Sequence, residues 1–398
     1  MPVVRFLSTR LCMFMASQAM STAIAWHVYR ITHRPLAIGF AGLAEFVPMF
    51  LLSPFAGRLG DTRDRRGIVL IGAVCALISA LILLSITLLQ VKSVIAIYAV
   101  LVMSGSIRAF VGPAHQALLP SLVRPDELPR AVTIATLCAQ FGLLGGPALG
   151  GLLCIDSIGP HFAYLLSVGL YAIAVFAMLG VPKQPVANAS LGSVWETLQQ
   201  GLRFVFDNKI ILGSISLDLA AVLLGGVVAL LPVYARDILI TSGAGYGFLR
   251  ASPAIGAALM GFYLARFPIR HHMGPLFFGS VFGFGVATLV FALSKNLALS
   301  IAALAFAGAA DMISMVVRGL VVQALTPTAM RGRVSAVNTV FISASNQLGE
   351  FESGVTAHWL GTRQAAVFGA CGTLLCTAVF STLFPALRKI DKVEHVDP

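Results

Sequence analysis

The chain has 398 residues, of which 58% are hydrophobic and 11% are charged, and it carries a formal net charge of +11. A soluble domain of this composition could not cover its surface with polar groups, so the composition excludes a soluble protein and indicates a membrane protein. Nucleic-acid binding needs basic residues gathered on one soluble face, and we find no such face in the sequence.

Apolar segments recur along the whole chain. A helix that crosses ~30 Å of hydrocarbon needs about twenty apolar residues. The sequence therefore predicts an all-α membrane protein with about twelve transmembrane helices, separated by short polar breaks. The predicted spans are 11–31, 36–56, 67–90, 93–121, 131–154, 161–181, 210–234, 242–265, 274–294, 297–323, 334–360 and 364–386.

Residues 57–66, between the second and third spans, carry six charges in a gap too short for a domain. We expect a tight loop at the membrane surface, and its four arginines favour the cytoplasmic side. A Gly, three residues, an Asp and a basic cluster together resemble the signature loop of the major facilitator superfamily of transporters. This resemblance implies a cytoplasmic gating loop formed by Gly57, Gly60, Asp61, Arg65 and Arg66.

Span four contains Arg108, followed by Gly112 and Pro113. Burying a guanidinium costs several kcal/mol, so an arginine at this depth is by default a candidate for a functional site. Arg108, three residues and Gly112 resemble the span-four motif of the superfamily, whose arginine is implicated in proton transfer. We interpret Arg108 as a coupling or substrate-binding residue, and a structural ion pair is the alternative.

Span five contains a glycine-rich string that ends in a pair of glycines. Gly142, Gly146 and Gly150 fall on one helical face, which lets a neighbouring backbone approach, and Pro147 removes a backbone donor. The pattern predicts a hinge between packed helices, and a plain packing motif is the alternative. The string from Gly142 to Gly151 resembles the GxxxGPxxGG pattern in the fifth span of exporting, antiporter-type members of the superfamily.

Residues 182–209 interrupt the apolar pattern with prolines and small polar residues. Within them, residues 191–206 are amphipathic at helical spacing, which suits a helix lying along the membrane surface. Similar five-residue strings leave span four at 116–120 and span ten at 323–327, as expected of two corresponding halves. The predicted domains are a six-helix bundle over 1–181, a cytoplasmic linker over 182–209, a second six-helix bundle over 210–387 and a cytoplasmic tail over 388–398.

Two acids and one arginine stand out in spans seven and ten. Asp311 lies two helical turns before Arg318, which places them on one face about 10 Å apart. Spans one, four, seven and ten line the central cavity in the superfamily, so the resemblance implies that Arg108, Asp218, Asp311 and Arg318 share a cavity wall. A desolvated carboxylate beside an arginine can exchange a proton with water. A charge pair between Asp311 and Arg318 that fixes helix register is the alternative.

Further titratable groups lie in other spans. Glu45, three residues before Pro48, is a candidate proton carrier. Glu350 and Glu352 are two residues apart, so they cannot both face one cavity from one helix. His27 lies near the outer end of span one, where we expect an interfacial belt residue.

The distribution of Lys and Arg orients the chain. With the amino terminus in the cytoplasm, eighteen of them lie on the inner side and six on the outer side. Short basic loops stay in the cytoplasm, so both termini are expected there. We expect no removed signal peptide, because no short apolar core is followed by a cleavage site.

Signals for other classes of protein are weak. The sequence has no HExxH, GxxxxGK[ST] or GxSxG motif and no Cys or His spacing typical of metal ligands, so we expect no enzyme, no cofactor and no metal. Two unlike six-span halves on one chain suit a monomeric carrier more than an oligomeric channel.

Local features further resemble the exporters grouped with bacterial siderophore and macrolide efflux proteins. These features are Trp26, Tyr29, the linker residues 193–196 and the tract 330–334. The resemblance implies a proton-coupled exporter of a small amphipathic molecule, such as a drug or siderophore, in a bacterial inner membrane. An importer or a lipid or lysophospholipid flippase of the same fold, and a non-transporting receptor or scaffold, are the alternatives.

Overall fold

The computed structural model describes residues 2–124, 127–154, 160–183, 194–327 and 330–391. In these ranges the regular structure is helical, without a strand. The α-helices are α1 (Pro2–Thr32), α2 (Pro35–Thr62), α3 (Arg65–Leu88), α4 (Val94–Leu122), α5 (Leu128–Leu152), α6 (His161–Leu179), α7 (Val194–Asp207), α8 (Lys209–Gly225), α9 (Leu231–Val233), α10 (Gly243–Arg266), α11 (Met273–Leu293), α12 (Leu297–Leu325), α13 (Arg331–Leu360), α14 (Thr362–Leu383) and α15 (Pro385–Arg388).

Several helices begin at side chains that bind the free backbone N–H groups of the first turn. Asn208 accepts from the N–H groups of Ile210 and Ile211 at 3.1 and 3.2 Å. Asn296 caps α12 in the same way, and Ser93 caps α4. Such caps fix where a helix starts, because the first N–H groups have no partner inside the helix.

In the part of the chain that the structure describes, ten helical segments are long and apolar enough to cross a membrane. Two other long helices, α1 with 31 residues and α13 with 30, lie where spans one and eleven were predicted. They are less apolar, because polar residues occur along their length. The described helices therefore match the predicted all-α membrane protein with about twelve spans.

Span seven is not one continuous helix. After α8 ends at Gly225, the chain passes through a 3₁₀ turn over Val227–Leu230, the short α9 and a π-helical turn over Tyr234–Ile238. The hydroxyl of Ser353 on α13 donates to the carbonyl of Gly226 at 2.8 Å. A broken helix at membrane depth needs such a partner, because lipid offers no hydrogen bond to the freed carbonyl.

The chain forms two compact units. Unit 1 comprises Met1–Leu191 and Ile240–Ala251, and unit 2 comprises Gly192–Leu239 and Ser252–Pro398. In unit 1, α1 packs against α5 and α6, and α2 packs against α4. In unit 2, α11 packs against α12 and α14, and α8 packs against α13 and α14.

The amphipathic helix α7 packs on protein. Val205 is buried with Ile211 of α8 and with Val334 and Val337 of α13. Gly201 lies so close to α13 that an added Cβ would be 2.8 Å from the carbonyl oxygen of Arg333. Helices α8 and α13 therefore cover this part of the apolar face, and the position of α7 along the membrane surface stays a prediction.

Candidate functional site

An ion pair joins α2 and α4 in unit 1. Arg108 Nη1 donates to Glu45 Oε1 at 2.6 Å. Gly105, one turn earlier on α4, lies against the carbonyl of Glu45 so closely that a side chain would not fit. This close approach of the two helices brings the arginine to the carboxylate. The Arg108 side chain is still 47% exposed, against 12% for Glu45.

The buried Tyr171 of α6 adds a polar group to this pair. Its hydroxyl hydrogen-bonds with Ser17, and it interacts electrostatically with Glu45 and Arg108. No motif in the sequence marks Tyr171 or Gly105. The small residue one turn before the arginine was the only local signal for the close approach.

A second ion pair joins α8 and α12 in unit 2. Arg318 Nη1 pairs with Asp218 Oδ2, and their side chains are only 4% and 7% exposed. The partner of Arg318 is thus on a neighbouring helix, whereas the register-fixing alternative paired it with Asp311 of its own helix. Asp311 nevertheless interacts electrostatically with both members of the pair.

Asp218 and Asp311 line one small cavity in unit 2. The volume of this cavity is about 10 Å³, close to the minimum that holds one water molecule. Ser314 contributes a hydroxyl to the lining and donates to the backbone carbonyl of Asp311 at 3.1 Å. The lining consists of Asp218, Ala221, Val222, Val281, Phe284, Asp311 and Ser314. The arrangement places two carboxylates at a space for water, and the guanidinium of Arg318 pairs with one of them.

The predicted gating loop is much shorter than ten residues. Helix α2 continues to Thr62 and α3 begins at Arg65, so the loop prediction for 57–66 is wrong for most of its length. The carboxylate of Asp64 caps α3 by accepting from the Arg66 N–H at 3.1 Å, which fixes the start of that helix. The side chains of Gly57, Gly60 and Asp61 lie outside what the structure describes.

Two of the four arginines in residues 57–66 bind carbonyl groups near helix ends. Arg65 Nη1 donates to the carbonyl of Ala117 in the last turns of α4 at 3.1 Å. Arg66 Nη2 donates to the carbonyl of Leu179, the last residue of α6, at 3.0 Å. Cations at helix C-termini satisfy free carbonyls and offset the helix dipole. This capping role is observed, and the gating role stays a prediction.

The glycine face of α5 packs directly on α1. Added Cβ atoms at Gly142, Gly146 and Gly150 would lie 2.6–2.7 Å from atoms of α1. Helix α5 continues through Pro147 without a break. Gly151, at the end of the face, lies against Gly247, which also belongs to unit 1. The close packing is observed, and the hinge role stays a prediction.

The outer part of α1 is buried. His27, Trp26 and Tyr29 are at most 7% exposed. His27 Nδ1 is 3.1 Å from the hydroxyl of Tyr164, and Trp26 stacks on Tyr246 with ring centroids 5.1 Å apart. The prediction of an interfacial belt residue at His27 is wrong, because α6 covers this part of α1.

Helix α13 carries Glu350 and Glu352, the two remaining acids within the predicted spans. Glu352 accepts a hydrogen bond from Thr356 at 2.6 Å, which occupies its carboxylate within the helix. On the same helix, Asn338 Oδ1 and Gln347 Oε1 are buried without a hydrogen-bond partner. Among the described residues, no group of three or more His, Cys, Asp or Glu side chains could hold a metal ion.

Comparison with known proteins identifies the family. Residues 8–397 match the model of the transmembrane secretion effectors. The chain belongs to this family. The enterobactin exporter EntS of Escherichia coli O1:K1 is 25% identical over 351 residues, which cover 88% of this transporter and 83% of the exporter.

Solved structures agree with this assignment. The nucleoside transporter NupG superposes with a TM-score of 0.73 at 14% identity, covering 96% of this chain and 98% of NupG. A bacterial homologue of the iron transporter ferroportin, in an inward-facing state, superposes with a TM-score of 0.73 at 16% identity and covers 98% of both chains. At these identities the likeness concerns the fold alone. The chain is a multi-pass membrane transporter of the major facilitator type, with about twelve spans in two six-helix bundles, as the sequence predicted.

Proposed function

We propose that this transporter is a proton-coupled antiporter that exports a small amphipathic molecule from the cytoplasm across a bacterial inner membrane by alternating access. The observation that carries the proposal is the group formed by Asp218, Asp311 and Arg318, whose two carboxylates line a cavity of about one water molecule.

One arginine can neutralise one carboxylate. With Arg318 paired to Asp218, the charge of Asp311 has no cation of its own in this group. An uncompensated carboxylate in a low-dielectric setting is costly, and the uptake of a proton removes that cost. We assign Asp311 as the proton-carrying residue and the Asp218–Arg318 pair as the group that senses its charge.

Export is supported by the relative whose name describes an enterobactin exporter. We extend this to a siderophore-like or drug-like substrate for the present chain. The arginine of the half-exposed pair in unit 1, Arg108, is the candidate for contact with substrate, because 47% of its side chain is exposed. We further propose a monomeric carrier with both termini and the linker over 182–209 in the cytoplasm.

The test compares a deletion strain with strains that carry the wild-type or a variant chain, in a screen of siderophores, drugs and lysophospholipids. We expect less accumulation of at least one compound with the wild-type chain, and we expect a protonophore to abolish this difference. Asp311→Asn should remove the response to the protonophore. Asp207→Asn is the matched control, since Asp207 is an exposed acid on α7.

The same screen separates the alternatives. Accumulation that rises with the wild-type chain would indicate an importer, and loss of lysophospholipid asymmetry alone would indicate a flippase. Efflux that survives a protonophore but stops on sodium removal would contradict proton coupling. Reporter fusions at residue 187 and at the carboxyl terminus test the orientation, and a signal from outside at either position would overturn it.

A further inference from the structure

A group of polar side chains in unit 1 has no part in the proposed proton coupling. Arg10 lies on α1, His115 on α4 and Cys138 on α5. Arg10 is eight residues from the start of α1, and His115 is seven from the end of α4. At 1.5 Å per residue, both lie about 10–12 Å inside the helix ends on the predicted cytoplasmic side.

The imidazole of His115 is buried and incompletely hydrogen-bonded. His115 is only 5% exposed, and its ring packs edge-on against the ring of Phe6, with the ring centroids 5.5 Å apart. Phe6 lies one turn before Arg10 on α1, so this contact holds the imidazole next to the arginine. Its Nε2 atom has no hydrogen-bond partner.

Arg10 is half-buried and also has an unused donor. Its Nε atom is buried without a partner. The guanidinium interacts electrostatically with His115 and with the thiol of Cys138. Among the described residues, no carboxylate forms an ion pair with Arg10.

Arg10 Nε and His115 Nε2 lack hydrogen-bond partners, and the Arg10 cation has no counter-charge among the described residues, which is unfavourable in a helix interface. A buried donor without an acceptor destabilises the structure, and a buried charge without a partner destabilises it more. An oxyanion would relieve both costs, since it accepts from the guanidinium and from an imidazole protonated at Nε2. A neutral polar ligand would supply an acceptor for the nitrogens but would leave the charge of Arg10 without a counter-charge.

We infer that Arg10 and His115 form an oxyanion-binding site for a carboxylate or phosphate group of the transported molecule. The assignment to the transported molecule rests on the proposed export function. The same chemistry would bind the headgroup of an anionic phospholipid or free phosphate, so the experiment separates these sources.

Cys138 provides a reporter that does not depend on transport. In a variant with the other five cysteines replaced by serine, the purified protein in nanodiscs of phosphatidylcholine is labelled with N-ethylmaleimide. We expect benzoate or inorganic phosphate to slow the labelling of Cys138 several-fold and neutral benzamide to leave it unchanged. Protection by benzoate but not phosphate favours an amphipathic carboxylate. Protection without any added anion in phosphatidylglycerol nanodiscs assigns the lipid headgroup.

Arg10→Gln should abolish the protection, measured as the ratio of rates with and without benzoate within each variant. Arg5→Gln is the matched control, because Arg5 lies on the same helix but donates to the carbonyl of Gly180. Equal protection in Arg10→Gln and wild type, or equal effects of benzoate and benzamide on wild type, would overturn the site.

A second measurement uses the unsubstituted protein in detergent. Benzoate should raise the midpoint of thermal unfolding more than benzamide does, and Arg10→Gln should cancel the difference. Anion protection in a protein that fails every transport assay supports the site and contradicts the proposed function. Transport without any anion effect in either measurement overturns the site and leaves the proposed function standing.

Discussion

The two units each hold an arginine–carboxylate pair between helices, but they place it in opposite surroundings. In unit 1, Arg108 and Glu45 form a short pair whose arginine is nearly half exposed. In unit 2, Arg318 and Asp218 are both almost fully buried, and a second carboxylate, Asp311, lies near them.

This difference indicates that the two ion pairs respond differently to a nearby change of charge. Removing one member of a buried pair leaves an isolated charge in a low-dielectric interior, so such a pair responds strongly to protonation nearby. An exposed pair exchanges its partners with water and ligands at little cost. We therefore propose that proton sensing lies in unit 2 and contact with substrate in unit 1.

The largest expected effect comes from removing the buried arginine. Arg318→Gln should lower the free energy of unfolding by about 3–5 kcal/mol, because Asp218 loses its counter-charge. Arg108→Gln is the matched control in unit 1 and should cost about 1 kcal/mol or less. Chemical unfolding of the purified proteins in detergent measures both. Equal losses in the two variants would break the comparison.

The next effect concerns the glycine face that packs α5 on α1 in unit 1. Gly146→Leu should abolish efflux while membrane insertion is retained, because an added Cβ already lies 2.6 Å from Gln18. Overpacking of this kind costs about 1–3 kcal/mol. Gly112→Leu is the control, since a Cβ at Gly112 meets no atom within 4 Å. Wild-type efflux from a well-expressed Gly146→Leu protein would argue against the hinge.

The third prediction compares Glu45 of unit 1 with Asp311 of unit 2. We expect the two acids to differ little in stability and strongly in proton coupling. Glu45→Gln should cost about 1 kcal/mol or less, because the Arg108 side chain is 47% exposed, and transport should still depend on the proton gradient. Asp311→Asn should retain the fold and lose that dependence. Substrate efflux measured against external pH separates the two. If efflux lost its pH dependence in Glu45→Gln but not in Asp311→Asn, the proton-carrying residue would lie in unit 1.

The smallest effect is expected at the exposed end of unit 2, where Asp391 accepts from the backbone N–H of His272 at 2.8 Å. That hydrogen bond lowers the pKa of Asp391 below its ordinary value, with smaller contributions from His271 and His272. Because the folded-state pKa lies below the unfolded one, this contribution to stability is present near neutral pH. It is lost as the pH falls below about 4.

Limited proteolysis of the carboxyl-terminal tail over a range of pH tests this point. Cleavage of the wild-type chain should become faster in acid, whereas Asp391→Asn should be cleaved at the acid-like rate at neutral pH. Identical pH profiles for the two proteins would show that this exposed carboxylate does not hold the tail.

The sequence alone was sufficient for the membrane class, the number of spans and the family. These depend on hydropathy and on short motifs, which are local along the chain, and the bilayer imposes the length of each apolar segment. The caps and the glycine face of α5 are also local, because they depend on residues within one or two turns.

Only the tertiary structure decided which groups meet. The spacing of Asp311 and Arg318 placed them on one helical face, but the partner of Arg318 is Asp218 on another helix. The amphipathic pattern of α7 did not show that Val205 on its apolar face packs on α8 and α13. Arg10 and His115 are over one hundred positions apart in the sequence and meet because α1 packs between α4 and α5. Partners across helices depend on rotation and depth, which hydropathy does not encode.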